Sequence, residues 1–223
     1  MEDSEAVLDR ALLYPYETPA SSFVLAGERT LDPGSAELGP AAREPLLAYG
    51  ANVAPAVLAR KLGKSAVPVL ARRAMLRGFD VVYSAHISLY GAVPATLIAS
   101  APTEVEVFVL LLTTGQRSAL EATEPNYELT DLGPGACRLE DGGAIPRPPA
   151  YLSRHGPLEV GGSPVALAAV RASGRLLPEM SEADVLEHVR VILAPDEKLA
   201  RFVLDCAADP GLARRRTEQL RPS

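Results

Sequence analysis

The stretch from Val105 to Leu112 limits most strongly what this chain can become. Val105, Val107, Val109 and Leu111 alternate with Glu106, Phe108 and Leu110, so an extended segment here is apolar on nearly both faces. A strand of that kind belongs in the middle of a sheet, covered from both sides. It is the longest apolar run in the sequence and falls short of membrane length.

Local signals place further elements around it. Glu5 to Leu13 reads as a short helix, ended by Tyr14-Pro15-Tyr16-Glu17-Thr18-Pro19, because proline disfavours helix at itself and at the residue before it. Ser22 to Leu25 reads as a short strand, Asp32 to Ser35 as a turn, and 35–44 as a surface linker. A strand over 46–49 runs into Gly50 to Asn52. A helix then spans Pro55 to Leu62, with proline at its first turn and Gly63 as its stop. Four β-rich segments follow, at 67–76, 79–89, 95–100 and 104–112. Thr114 to Glu124 reads as a helix with Thr114 as N-cap, and Tyr127 to Leu132 as a strand. Residues 133–150, rich in Gly and Pro, read as a loop, and Val165 to Val170 as a strand. The tail is helical. Ser181 to Asp184 resembles a capping box, Val185, Val189, Ile192 and Leu193 form one apolar face, Asp196 caps a second helix, and a third begins near Pro210.

Composition narrows the function classes. A chain of 223 residues with a 48% hydrophobic share has the length of one domain, or of one core with an appendage. The net charge of −6 argues against a nucleic-acid binder, and Arg214-Arg215-Arg216 reads as a solvated helix face. Met1 to Glu5 is acidic and lacks the positive start of a signal peptide. Cys137 and Cys206 lack metal spacing and read as free, buried thiols in a reducing cytoplasm. Heavy use of Ala, Arg and Pro with few Lys suggests a high-GC bacterium. His86, His155 and His188 show no ligand spacing, so no metal site is expected, and no dinucleotide or P-loop fingerprint is present.

Two segments carry chemistry. In Leu47-Ala48-Tyr49-Gly50-Ala51-Asn52-Val53 an apolar strand ends in a tight loop, and such a loop can point several backbone N–H groups at one anionic spot. Leu120-Glu121-Ala122-Thr123-Glu124-Pro125-Asn126-Tyr127 offers a carboxylic acid in a mostly apolar setting. Taken alone, Glu124 reads as a surface acid at a helix end, with Glu121 on roughly the same face. Tyr49 reads equally as a pocket residue and as a core residue at a strand end. Tyr127 suits a core strand, Asn52 suits either its own loop or a ligand, and Gly50 suits a demanding backbone geometry.

These segments resemble the γ-glutamylcyclotransferase-like family, in which an apolar strand leads into Tyr-Gly-Ser-Asn-Leu and a Leu-Asp-x-x-Glu-Gly segment follows with a Tyr soon after. Gly91-Ala92-Val93-Pro94-Ala95-Thr96-Leu97 is similar to the Gly and small-Ala-Thr-apolar strand between them, so the resemblance covers 46–127. It implies an α+β fold: a small mixed β-barrel with surrounding helices over a core at 45–177. Residues 1–44 then form an N-terminal extension and 178–223 a helical C-terminal extension. It implies Glu124 as general acid/base, with Glu121 in a structural role. Tyr49, Gly50, Ala51, Asn52, Val53 and Tyr127 become the substrate-binding set.

The implied reaction is cyclisation of a γ-glutamyl amide to 5-oxoproline with release of an amine or amino acid, without cofactor or metal. Ala51, Pro125 and Val107 depart from the family's Ser, Gly and Gly, which favours a shifted substrate. A related amide-bond enzyme acting on a specialised metabolite is therefore a second reading. A third is a non-catalytic binding protein whose terminal segments form a partner or homodimer surface. The expected ligand is a small molecule, with no nucleic acid and no membrane.

Overall fold

The run at 105–112 is the second half of one long strand, Ala95–Leu112, which pairs along its length with another, Val69–Tyr83. The four β segments expected between 67 and 112 are therefore two strands, and residues 84–94 form the connection. Pairing runs from Leu70 with Leu111 to Tyr83 with Ala95 and slips once, between Arg77 and Phe79. Gly78, with φ of 85°, faces that slip; across from it lies Pro102, which has no N–H to give the ladder. That local interruption makes each strand read as two pieces in sequence.

The computed structural model describes residues 3–35, 37–63 and 67–220. Met1 and Glu2 of the acidic start, Ala36 of the expected linker and 221–223 of the expected C-terminal extension lie outside them. In chain order the elements begin with α1 (Ser4–Leu12), β1 (Phe23–Ala26), β2 (Arg29–Leu31) and β3 (Glu44–Ala48), then a 3-10 turn (Ala51–Val53) and α2 (Pro55–Leu62). Next come β4 (Val69–Tyr83), β5 (Ala95–Leu112), α3 (Thr114–Glu121), β6 (Tyr127–Thr130), β7 (Ala136–Leu139), β8 (Ala144–Pro146) and β9 (Ala150–Ser153). Short strands follow: β10 (Glu159–Val160), β11 (Ser163–Pro164), β12 (Ala166–Leu167), β13 (Ala172–Ser173) and β14 (Glu179–Met180). Helices α4 (Glu182–Leu193), α5 (Leu199–Ala208) and α6 (Pro210–Gln219) end the chain.

The fold is α+β, built on one mixed sheet in the order β14-β12-β4-β5-β3-β9-β6. β3 pairs antiparallel with β5 and parallel with β9, and β9 pairs antiparallel with β6. Among the described residues no pairing joins β6 back to β14, so barrel closure is not observed.

β5 divides the core by the period of a strand. Val105, Val107 and Val109 pack into one cluster, with Leu47, Tyr14 from beyond α1, and Val185, Phe202, Val203 and Cys206 from α4 and α5. Phe108, Leu110 and Leu112 pack into the other, with Leu46, Ala48, Leu58 of α2 and Leu120 of α3. Each fully buried aliphatic or aromatic side chain contributes about 1.5–3 kcal/mol.

Several boundaries differ from expectation for local reasons. Thr113, not Thr114, caps α3, because Gln116 three residues on closes a reciprocal capping box with it. The helix stops at Glu121, so Glu124 lies in the turn beyond it. Residues 133–150 hold the β7–β8 hairpin, turned at Gly142 (φ 84°). The strand expected at 165–170 shrinks to β12. Lys198 rather than Asp196 stands at the N-cap of α5. Arg216 is not solvated: it lies 4.2 Å over the Phe202 ring and grips Glu197 with Nη2 at 2.7 and 2.8 Å. Cys137 and Cys206 are free and buried, and no described helix is long and apolar enough to cross a membrane.

β4 carries a buried charge. Asp80 is fully enclosed and is gripped by Arg175, whose Nε and Nη2 lie 2.8–3.1 Å from its carboxylate oxygens. The Arg175 side chain is itself only 5% exposed. Removing one partner strands a charge in a medium that cannot hydrate it. Arg175→Ala is therefore expected to cost about 3–5 kcal/mol, measured as a lowered urea midpoint. An unchanged midpoint would contradict this account of the pair.

Candidate active site

Strand alternation at the end of β3 turns Leu47 into the first core cluster and carries Tyr49 on to the same face. The chain then tightens into the Ala51–Val53 turn. The N–H groups of Val53 and Ala54 close that turn onto the carbonyls of Gly50 and Ala51. The N–H groups of Gly50, Ala51 and Asn52 have no partner among the described residues and are the turn donors left for a ligand. Gly50 is needed for space and not for its backbone angle (φ −128°). A Cβ there would sit 2.6 Å from the hydroxyl of Tyr14.

Pro55 starts α2 directly after the turn, and the helix delivers Lys61 back to the loop that began it. Lys61 Nζ donates to Asn52 Oδ1 at 2.8 Å and to Glu124 Oε1 at 2.6 Å. Asn52 Nδ2 donates to the same Oε1 at 2.9 Å. Glu124, in the turn after α3, is held there by its own N–H on Glu121 O and by Tyr127 N–H on its carbonyl. Its side chain is 10% exposed. Oε1 is thus fixed by two donors, while Oε2 accepts no hydrogen bond among the described residues.

These groups line one cavity of about 400 Å³. Of the residues singled out in the sequence, Tyr49, Gly50, Ala51, Asn52, Glu124 and Tyr127 line it. Val53 does not: it is 4% exposed and packs into the second core cluster, with its N–H spent on the turn. The hydroxyls of Tyr49 and Tyr127 are also committed, donating to Tyr151 O and, at 3.0 Å, to Ala95 O. Tyr14 instead accepts from the Ala95 N–H at 2.8 Å and so keeps its own proton for donation. Burial pushes the Tyr14, Tyr49, Tyr90 and Tyr127 hydroxyls above the ordinary tyrosine value, so all four are neutral at pH 7.

Sequence reasoning missed Arg10, Tyr14, Arg60, Lys61, His86 and Tyr90, which share the lining. Arg10 lies 4.9 Å over the Tyr90 ring, and both Arg10 and Arg60 act electrostatically on the Tyr16 hydroxyl. Among the lining residues only Glu124 is acidic, against Arg10, Arg60 and Lys61, so the cavity is positive within a chain of net charge −6. One signal was readable: Lys61 is among three lysines in a chain with nineteen arginines. A compact point charge in place of the usual guanidinium marks a position with a specific task. Tyr14, in the segment before β1, and His86, in the β4–β5 connection, had no local signature.

That connection is held from outside by Glu182, the first residue of α4. Its Oε1 accepts the Val93 N–H at 2.7 Å, and its Oε2 is buried without a partner among the described residues. Burial raises this carboxyl well above the ordinary glutamate range. Gly91 (φ 84°) packs against α5, where a Cβ would meet Val203 O at 2.9 Å.

No family model matches the chain, and no curated protein matches it. Solved structures do. A γ-glutamyl cyclotransferase is 14% identical with a TM-score of 0.41, over 80% of this chain and 86% of that one. The uncharacterised protein loc79017 from Homo sapiens is 14% identical with a TM-score of 0.39, over 81% and 89%. Kluyveromyces lactis allophanate hydrolase is 12% identical with a TM-score of 0.37, over 72% of this chain and 23% of that one. At such identities the chemistry has to be argued from this chain's own residues.

Two outcomes are expected from the packing. Gly50→Ala drives the Tyr14 hydroxyl away and orphans the Ala95 N–H, a loss of about 1–3 kcal/mol readable as a lower urea midpoint; Tyr14→Phe in the same background should add little, since the bond is already broken. Glu182 gives a pH signature. Its proton is bound more tightly in the folded state, so the stability it lends is complete below about pH 4 and is lost as pH rises toward the folded value. The unfolding free energy should fall by up to about 1.4 kcal/mol per pH unit within that window. Glu182→Gln, measured by urea denaturation at pH 5 and pH 8, should lack this fall. An equal fall in both proteins would assign the proton elsewhere.

Proposed function

We propose that this protein cleaves a γ-glutamyl amide by intramolecular cyclisation, giving 5-oxoproline and a free amine or amino acid, with Glu124 as the acid/base. The supporting observation is the fixed carboxylate. Asn52, from the turn whose first N–H groups have no partner among the described residues, and Lys61 hold Oε1 of Glu124 on the wall of a half-open cavity and leave Oε2 for a ligand.

The chemistry follows from those positions. The cavity folds the substrate so that its α-nitrogen lies against its own side-chain carbonyl, which removes the entropy cost of bringing the two together. Oε2 of Glu124 takes a proton from the α-ammonium. The freed nitrogen pair attacks the amide carbon, a C–N bond forms, and the carbonyl π pair moves onto oxygen. The N–H groups of Gly50, Ala51 and Asn52, with the Tyr14 hydroxyl beside Gly50, suit that oxyanion. Glu124 returns the first proton to the leaving nitrogen, the intermediate collapses with cleavage of the bond to that nitrogen, and Glu124 then passes the second proton from the ring nitrogen to the released amine. The two protons given up by the α-nitrogen end on the leaving amine, so the balance requires no co-reactant.

Arg10 and Arg60 favour one variation: a substrate with an anionic portion beyond the γ-glutamyl group, in keeping with the substituted Ala51, Pro125 and Val107. We assign 45–177 as the core, and 1–44 and 178–223 as extensions of it, the first of which adds Arg10 and Tyr14 to the cavity wall. The ligand is a small molecule, and the two free buried thiols suit the cytoplasm.

The test is incubation of the purified protein with a panel of γ-glutamyl amino acids and γ-glutamyl amines, with 5-oxoproline followed by mass spectrometry. Glu124→Gln should lower kcat by about 10²–10⁴-fold with the fold retained by circular dichroism. Full activity in Glu124→Gln would remove Glu124 from the reaction. Absence of 5-oxoproline with every substrate would overturn the reaction class.

A further inference from the structure

His86 is 2% exposed and sits on the cavity wall, in the connection between β4 and β5. Its two ring nitrogens face different surroundings. Nδ1 lies 2.7 Å from Ser84 Oγ. The Ser84 hydroxyl donates its only proton to Ser153 Oγ, at 2.6 Å. Ser153 Oγ also accepts the His155 N–H at 3.1 Å. With its proton already given to Ser153, Ser84 has only lone pairs left for the imidazole. Nδ1 must therefore carry the hydrogen, and Nε2 a bare lone pair. Nε2 makes no hydrogen bond among the described residues and is not fully buried, and His86 lines the cavity.

The ring is fixed in place. His155 stacks on it at 4.8 Å between centroids, and Tyr127 meets it edge-on at 5.7 Å. Burial, with the neighbouring His155 adding to it, lowers the His86 pKa to about 3, so the ring stays neutral at working pH. A neutral, immobile acceptor in a cavity with a cationic balance has a definite selectivity. It rewards a ligand N–H or O–H and repels a carboxylate oxygen, which the arginines at the same cavity favour instead.

We propose that His86 Nε2 is the binding site for the substrate's α-amino group, accepting one of its N–H bonds while Glu124 Oε2 receives another. This rests on the γ-glutamyl reading and adds to it a direction. The amino end of the ligand lies at His86, and its carboxylates lie away from it. The Ser84–Ser153 pair is a positioning device that sets the tautomer. Selection is for a free amine: a ligand of the same shape without it loses the contact and leaves Nε2 facing a group it cannot bond.

Two measurements test this. The first is a long-range ¹H–¹⁵N NMR spectrum of the histidine side chains in the wild-type protein, assigned with His86→Gln. The expected signature for His86 is the neutral Nδ1–H tautomer; an Nε2–H tautomer or an imidazolium at neutral pH overturns the proposal whatever the ligand. The second is calorimetric binding of γ-glutamylalanine and of glutarylalanine, which lacks only the α-amine, in a Glu124→Gln background so that neither ligand is consumed. The amine should bind about 10- to 100-fold more tightly. His86→Phe should erase that difference and leave glutarylalanine binding unchanged, a result that a merely structural role for His86 would not give. His86→Gln, which can place an oxygen near the Nε2 position, should restore part of it. Equal binding of the two ligands, non-binding of both included, overturns the proposal. The two readings fail separately: 5-oxoproline formation without amine discrimination removes the role of His86 and keeps the reaction. Amine discrimination without 5-oxoproline removes the reaction and keeps the site.

Discussion

Everything in this molecule is arranged around a strand whose second half, Val105 to Leu112, has no exposed residue. β5 shows one row of side chains to α1, α4 and α5 and the other to α2 and α3. Covering both rows fixes which helices lie on which side of the sheet. It also fixes the end of β3, because β3 lies in register against the last third of β5. The turn at Gly50 begins where that register lets go, so the position of the cavity follows from the burial of a strand that contributes few atoms to its wall.

The cavity is assembled from pieces far apart in sequence, each held by a different force. Asn52 and Glu124 are joined by a hydrogen bond across 72 positions, and Lys61 and Glu124 by an ion pair across 63. The Ala95 peptide is clamped from both ends, its N–H by Tyr14 and its carbonyl by Tyr127. Buried polar groups of this kind contribute little net stability when satisfied and cost much when orphaned. Their main effect is to restrict the wall to one arrangement.

How much of this the sequence revealed follows from the range of each signal. The central strand was legible because its two-faced apolarity lies within a few residues, and α2 because Pro55 and Gly63 bracket it. The cap of α3 was legible in principle through Gln116, whose spacing selects Thr113 over its neighbour. β4 and β5 were read as fragments because Gly78 and Pro102 interrupt the local pattern while the pairing continues past them. Tyr49 to Asn52 and Glu124 were singled out, and the structure places them in one cavity; Val53, next in line, turned into the core because a 3-10 turn rotates its side chain away. Lys61, Tyr14 and the stacked His86 and His155 could not be read from spacing, because the contacts that give them meaning are long-range and follow only from the completed sheet.

The meeting of Tyr14 and Gly50 sets a condition on how the protein can be handled and how its sequence can vary. The segment before β1 is not packaging around a finished site: its tyrosine fills the space that the missing side chain at position 50 leaves open. Lengthening one residue demands shortening the other. A bulkier residue at 50 would call for a smaller one at 14, and the pair should be inherited or exchanged together. A chain trimmed to begin at the apolar strand β3 would lose β1 and β2 from the edge of its sheet and, with Tyr14, one wall of its cavity.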